Sequence, residues 1–139
     1  MKQEDKDLLL KDLSARLPYG VMCQMEDNLI INDSPIYDYK LSEKHLDLFQ
    51  NHLNFYVKPY LRPMSSMTEE EYNEWFEAQH YAEMEEVENS EDYFKASIIA
   101  DTVKYDWLKE HHFDYRYLID KGLAIAVTEE NNPYGKDNN

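Results

Sequence analysis

MTEEEYNEWFEAQHYAEMEEVENSED, residues 67–92, decides how the rest of the chain is read. Thr68 followed three residues later by Glu71 is a capping box, the reciprocal pairing that satisfies the first free amides of a helix. Met67 and Tyr72 flank it as a hydrophobic staple. Glu69, Glu70 and Glu71 fall in the first turn, where the helix dipole favours negative charge. Tyr72, Trp75, Phe76, Gln79 and Ala82 then trace one stripe at helical spacing, and Glu70, Glu74, Glu77, Glu85 and Glu88 lie largely off it. Asn89 and Ser90 are expected to break the pattern.

Downstream, residues 92–111 read as a further helix, with Phe94, Ile98, Ile99, Val103 and Trp107 as its apolar stripe and Leu108 beside it. Asp114 caps a predicted short helix over 115–121, with Gly122 just past its end. Residues 123–127 form a strand candidate. Residues 128–139 are polar, carry Pro133 and Gly135, and read as a flexible tail.

Upstream, 4–17 is a helix whose Leu9, Leu13 and Leu17 share a face with Leu10 adjacent, leaving Lys6, Lys11, Asp12 and Arg16 for solvent. Pro18 and Gly20 stop it. Over 19–25, Tyr19, Val21, Cys23 and Met25 alternate with Met22 and Gln24, the signature of a strand with one buried face. Glu26-Asp27-Asn28 is a turn, 29–31 a second strand, and Asn32-Asp33-Ser34-Pro35 a stronger turn. Residues 36–40 supply a third strand. Ser42 caps a short helix through Phe49, with Leu41 and Leu46 as its staple. The strand over 55–61 contains Pro59, so it is expected to end at a sheet edge or leave the sheet there. The fold class is therefore α+β: a small antiparallel sheet with an N-terminal helix, followed by a mainly helical C-terminal half. Residues 1–127 form a single domain, with a sheet lobe over about 1–62 and a helical lobe over about 66–127.

The net charge of −15 is unevenly spread. Residues 66–94 hold 11 acids and no Lys or Arg, whereas 1–65 and 95–139 are each at −2. Such a field repels phosphates and anionic membranes and attracts basic proteins. The lone Cys23 excludes an intrachain disulfide and fits a reducing, cytoplasmic setting. No stretch approaches a membrane span, and 1–13 holds no apolar run of signal-peptide length.

Charge runs on amphipathic helices usually only face water. As a site, the acidic helix would dock a basic partner through Glu70, Glu74, Glu77 and Glu85. The sharper alternative is a mimic of nucleic-acid phosphates that blocks a DNA- or RNA-binding protein. A further alternative is a small metal-binding protein or enzyme using His80, His111 and His112. Adjacent histidines at a helix end point apart, however, and His80 with Glu83 lacks the HExxH pattern. Cys23 reads as a buried hydrophobe, because its neighbours supply no positive field. With 3 Gly and no P-loop, GxGxxG or GxSxG, no phosphate cradle or nucleophile elbow is expected. A homo-oligomer joined through the aromatic surplus is the third class.

Three segments, LPYGVMCQ at 17–24, KPYLRPMSSMTEEEYNEW at 58–75 and DWLKEHHFDYRYLIDKGLA at 106–124, resemble a family of short uncharacterised proteins of gut bacteria and of their phages and mobile elements. The resemblance implies no catalytic residue or cofactor. It favours a role in phage–host or mobile-element biology. Pro18, Gly20, Pro63, Thr68, Glu71, Asp114 and Gly122, the recognisable positions, are those that specify turns and caps. The reading is a cytoplasmic, non-enzymatic interaction module with no cofactor and no metal, engaging a basic protein.

Overall fold

The computed structural model describes residues 1–27, 36–52, 54–90 and 92–135. The strand and turn expected over 29–35 and the last four residues lie outside them. Four helices, α1 (Gln3–Arg16), α2 (Glu43–Asn51), α3 (Glu69–Ser90) and α4 (Tyr93–Glu110), accompany a sheet of β1 (Met22–Asp27), β2 (Ile36–Lys40), β3 (Phe55–Leu61) and β4 (Ile125–Ala126). The strand order is β2-β1-β3-β4. The chain is thus α+β with a helical C-terminal half.

The sheet is mixed rather than wholly antiparallel. β1 pairs antiparallel with β2 and β3, but β4 runs parallel to β3. The intervening α3 and α4 supply the long crossover that parallel neighbours require. β1 continues through Asp27, past the start of the turn expected at Glu26. Pro59 does not end β3. It faces Cys23 on β1, and β4 joins only from Tyr60 onward, so the missing amide falls where the second neighbour has not yet begun.

Alternation places Val21, Cys23 and Met25 on one face of the sheet, together with Val57 and Phe55. Leu9 and Leu13 of α1, Phe49 of α2, Leu118 and Leu123 close over that face to form the main core. Ser42 caps α2 as expected, and His45 returns the bond, its Nδ1 accepting from the Ser42 amide at 3.1 Å. A second, smaller cluster of Trp107, Leu108 and Phe113 packs with Met64, Met67, Trp75 and Tyr115 at the base of α3 and α4.

Asp12 and Arg16 correct the solvent-facing assignment on α1: both are fully buried. They sit three and seven residues after Leu9, on its own face of the helix. Asp12 accepts from Arg16 Nε at 2.7 Å and from Arg116 Nε at 3.1 Å, while Arg16 Nη2 donates to the Phe113 carbonyl at 2.7 Å. This network joins the two clusters.

The helix expected over 115–121 is a turn instead. The Asp114 carboxylate accepts from the amides of Leu118 and Ile119, and the Gly122 and Leu123 amides close back on Ile119 and Leu118. That is one capped turn, with Gly122 at φ +74° in the left-handed conformation its position requires. The tail expected from 128 is anchored as far as Tyr134. Its hydroxyl accepts from the Met22 amide at 2.9 Å and donates to the Tyr60 carbonyl at 2.6 Å.

Candidate functional site

The capping box forms as its residues dictate. Thr68 Oγ1 accepts from the Glu71 amide at 3.1 Å, and Glu71 Oε1 accepts from the Thr68 amide at 3.0 Å. The same carboxylate holds Arg62 through two bonds of 2.7 and 2.6 Å, fastening the start of α3 to the end of β3. The Arg62 guanidinium, helped by the Thr68 amide, draws the Glu71 pKa down to about 2. Arg62 also lies over the Phe113 ring at 4.1 Å.

From this anchored start, α3 runs antiparallel to α4. Trp75 Nε1 donates to the Lys104 carbonyl at 3.1 Å, Trp107 Nε1 reaches Glu74 at 3.4 Å, and Lys95 pairs with Glu86 at 3.0 Å. These three contacts fix one register along the hairpin. Asp92 caps α4 by accepting from the Lys95 amide. The seam is narrow: Trp75, Ala78, Gln79 and Ala82 are half-buried on α3, and Ala96, Ala100 and Trp107 are buried on α4. Alanines at i, i+4 on both helices let the backbones approach closely, so the larger neighbours stay outside.

This corrects the expected core stripes in part: Trp75, Gln79 and Ala82 lie at the seam and Trp107 and Leu108 are buried as expected, with Ile99 and Val103 half-buried. Among the described side chains of α3 none is buried, and Tyr72, Phe76, Phe94 and Ile98 are exposed. The paired alanines 78/82 and 96/100 were the legible signal for the true seam. Glu70, Glu74, Glu77 and Glu85 are all exposed. At 100° per residue they fall within an arc of about 80° on one flank of α3, with Tyr81 among them. Glu74 also meets the Trp107 indole, so one of the four has a structural contact as well.

The histidines are not brought together. His80 lies in mid-α3, stacked on Phe76. The hairpin register puts it about 16 Å along the axis from the level of His111. His111 and His112 end α4 in a Schellman motif: the Phe113 amide bonds to the Leu108 carbonyl at 2.9 Å and the His112 amide to Lys109 at 3.1 Å. His112 takes the left-handed position usually given to glycine, at φ +64°. Its ring stacks on Tyr134 at 3.7 Å, whereas His111 stacks on Trp107 at 3.9 Å. Burial, with Arg16, His111 and Arg62 adding to it, lowers the His112 pKa to about 4. The two rings border a cleft of about 440 Å³ with Arg62, Glu110, Asn132 and Tyr134. Among the described residues, no three His, Cys, Asp or Glu side chains converge to hold a metal ion. Cys23 is buried, and that burial raises its thiol pKa.

No family model, curated protein or solved structure matches this chain. Among the described residues, no helix is long and apolar enough to cross a membrane.

Proposed function

We propose that this protein is a non-enzymatic interaction module that engages a basic protein through the α3–α4 hairpin. One observation carries the reading: α3, a helix of 22 residues, is fixed in place at its start yet buries none of its described side chains. A helix held so firmly and covered so little is suited to present a surface. Its flank of Glu70, Glu74, Glu77 and Glu85 belongs to a segment of net −11, which steers a cationic partner toward it and disfavours nucleic acids and anionic membranes. A cytoplasmic setting, where a free thiol such as Cys23 persists, is part of the proposal. So is a role in phage–host or mobile-element biology, which the resemblance of the three segments supports.

The test is affinity capture at low salt with wild-type protein and with the variant Glu70→Gln, Glu74→Gln, Glu77→Gln, Glu85→Gln. Circular dichroism establishes that the variant is folded. A basic protein retained by wild type, released by salt and lost from the variant is the expected result. If every captured protein binds both forms equally, the acidic flank is only a solvated face.

A further inference from the structure

The face of α4 turned away from α3 carries a cleft of opposite character. Around the helix, Tyr105 and Lys109 lie about 160° to either side of the Ala96–Ala100 seam, so they bracket the direction opposite α3. With Tyr115 and Arg116 from the turn that Asp114 caps, they line an open cleft of about 440 Å³. The two tyrosine rings meet at its wall with centroids 5.3 Å apart, and Tyr105 remains 42% exposed. Arg116 is held from behind: its Nε donates to the buried Asp12 at 3.1 Å, and its guanidinium lies over the Tyr115 ring at 5.2 Å. Among the described residues its Nη1 and Nη2 have no hydrogen-bond partner. Asp12 is shared with Arg16, which keeps a buried Nη1 without a partner among the described residues. Two guanidiniums against one carboxylate leave this network one positive charge in excess. Lys109 is committed only to an i, i+3 pair with the half-exposed Asp106 at 3.3 Å, and such surface pairs are weak.

We propose that this cleft binds a small phosphate monoester with a planar ring in its body, of the nucleoside monophosphate type. The inference is independent of the acidic flank of α3. A guanidinium fixed through Nε presents Nη1 and Nη2 as a parallel pair of donors, the fork that suits a phosphate. Lys109 adds a second cation. A phosphate monoester carries about −1.5 to −2 at pH 7, which two cations match better than they match a carboxylate. The volume is that of a small-molecule site and exceeds what a bare phosphate fills, so the body of the ester is left to lie against Tyr105. Aromatic surface of this kind takes a flat ring by offset stacking or edge contact. The chain's own charge selects against a longer ligand. α4 stands between the cleft and α3, and its diameter of about 10 Å equals a Debye length at 0.1 M salt. A single phosphate therefore escapes most of the α3 field, whereas a polynucleotide would run into it.

The probes are adenosine monophosphate, ribose 5-phosphate and adenosine, each titrated into the isotope-labelled full chain and followed by amide NMR shifts. The expected result is saturable binding of adenosine monophosphate, with the shifts centred on 105–109 and 114–118. Ribose 5-phosphate should bind at least about threefold more weakly for want of the ring, and adenosine at least about tenfold more weakly for want of the charge. Arg116→Lys keeps the charge but not the fork and should weaken adenosine monophosphate about tenfold. Lys109→Gln leaves the Asp12 network intact and should weaken it severalfold, which keeps the test decisive if Arg116→Lys unsettles the fold. Lys58→Gln, which removes an exposed cation on β3, should change binding by less than about twofold. Adenosine binding as tightly as its monophosphate overturns the inference, as does binding that neither Arg116→Lys nor Lys109→Gln weakens. Equal binding of ribose 5-phosphate also overturns it, because the tyrosines then hold no ring. An equal loss in Lys58→Gln makes the attraction one of general charge, and the inference fails. No saturable shift from any probe refutes the cleft outright and leaves the docking of a basic protein on α3 untouched.

Discussion

Glu71 is a single carboxylate that closes a helix cap and holds an arginine from the preceding strand. Its pKa, 4.5 when unperturbed, is brought to about 2 chiefly by the Arg62 hydrogen bonds. A folded-state value below the unfolded one means that the stabilisation is complete above about pH 4.5 and is lost as pH falls toward 2. The full shift corresponds to about 3 kcal/mol, which solvent screening of this partly exposed pair reduces to about 1–2 kcal/mol. Glu71→Gln should therefore lose about 1–2 kcal/mol at pH 7 and flatten the urea-denaturation profile between pH 4.5 and 2. His112 acts in a separate window. With its pKa lowered from 6.5 to about 4, the folded state holds it neutral, and stability falls as pH drops from 6.5 to 4. Glu71→Gln should leave that upper limb intact. If instead both limbs flatten together, the two groups are not independent and this assignment of the lower limb to Glu71 is wrong.

The elements divide sharply into those legible in the sequence and those that were not. The Thr68–Glu71 box and the Ser42 cap were readable because each rests on contacts between residues three apart, and the alternation of Val21, Cys23 and Met25 and the bounds of β3 because a strand's two-residue period is written in the sequence whatever its distant partners are. The faces of α3 and α4 were readable only in part, with Trp75, Gln79, Ala82 and Trp107 on the covered side as expected. Tyr72, Phe76, Phe94 and Ile98 follow helical spacing, but which apolar arc is covered depends on the partner helix, and the small Ala78, Ala82, Ala96 and Ala100 take the seam. On α1, Asp12 and Arg16 looked solvent-bound because their partners, Arg116 and the Phe113 carbonyl, lie about 100 residues away. The acidic flank was readable as charge. The segment around Tyr134 is a similar case: a polar stretch tied down by one distant hydroxyl. Tyr134→Phe keeps the stack on His112 but removes the acceptor of the Met22 amide and the donor to the Tyr60 carbonyl. It should destabilise the protein by about 1–3 kcal/mol. It should also speed hydrogen exchange at the Met22 amide while leaving α3 unchanged, which a merely frayed segment would not do.

At the scale of the whole molecule, two apolar clusters are joined through a buried charge. Removing Asp12 leaves Arg16 uncompensated, so Asp12→Asn should lose about 3–5 kcal/mol, whereas Arg16→Met combined with Asp12→Leu, which removes both charges, should lose far less. Thermal melts of the single and double variants measure the difference; equal losses would mean that packing, not charge, matters there. The surface charge has the opposite character, being exposed, of one sign and concentrated on the hairpin. Self-repulsion within the −11 segment opposes the compact hairpin, and salt screens it within a Debye length of about 10 Å at 0.1 M. Raising NaCl from about 0.02 to 0.5 M should therefore raise the melting temperature of the free protein by a few degrees. The four-Gln variant, with part of the repulsion removed, should show a smaller rise. The same salt series should weaken binding of a basic partner, because screening removes the attraction that steers it. Stability and affinity should thus move in opposite directions along one titration. A melting temperature that falls with salt in step with affinity would show that the hairpin's acids are satisfied within the fold, leaving no unbalanced field for a partner to read.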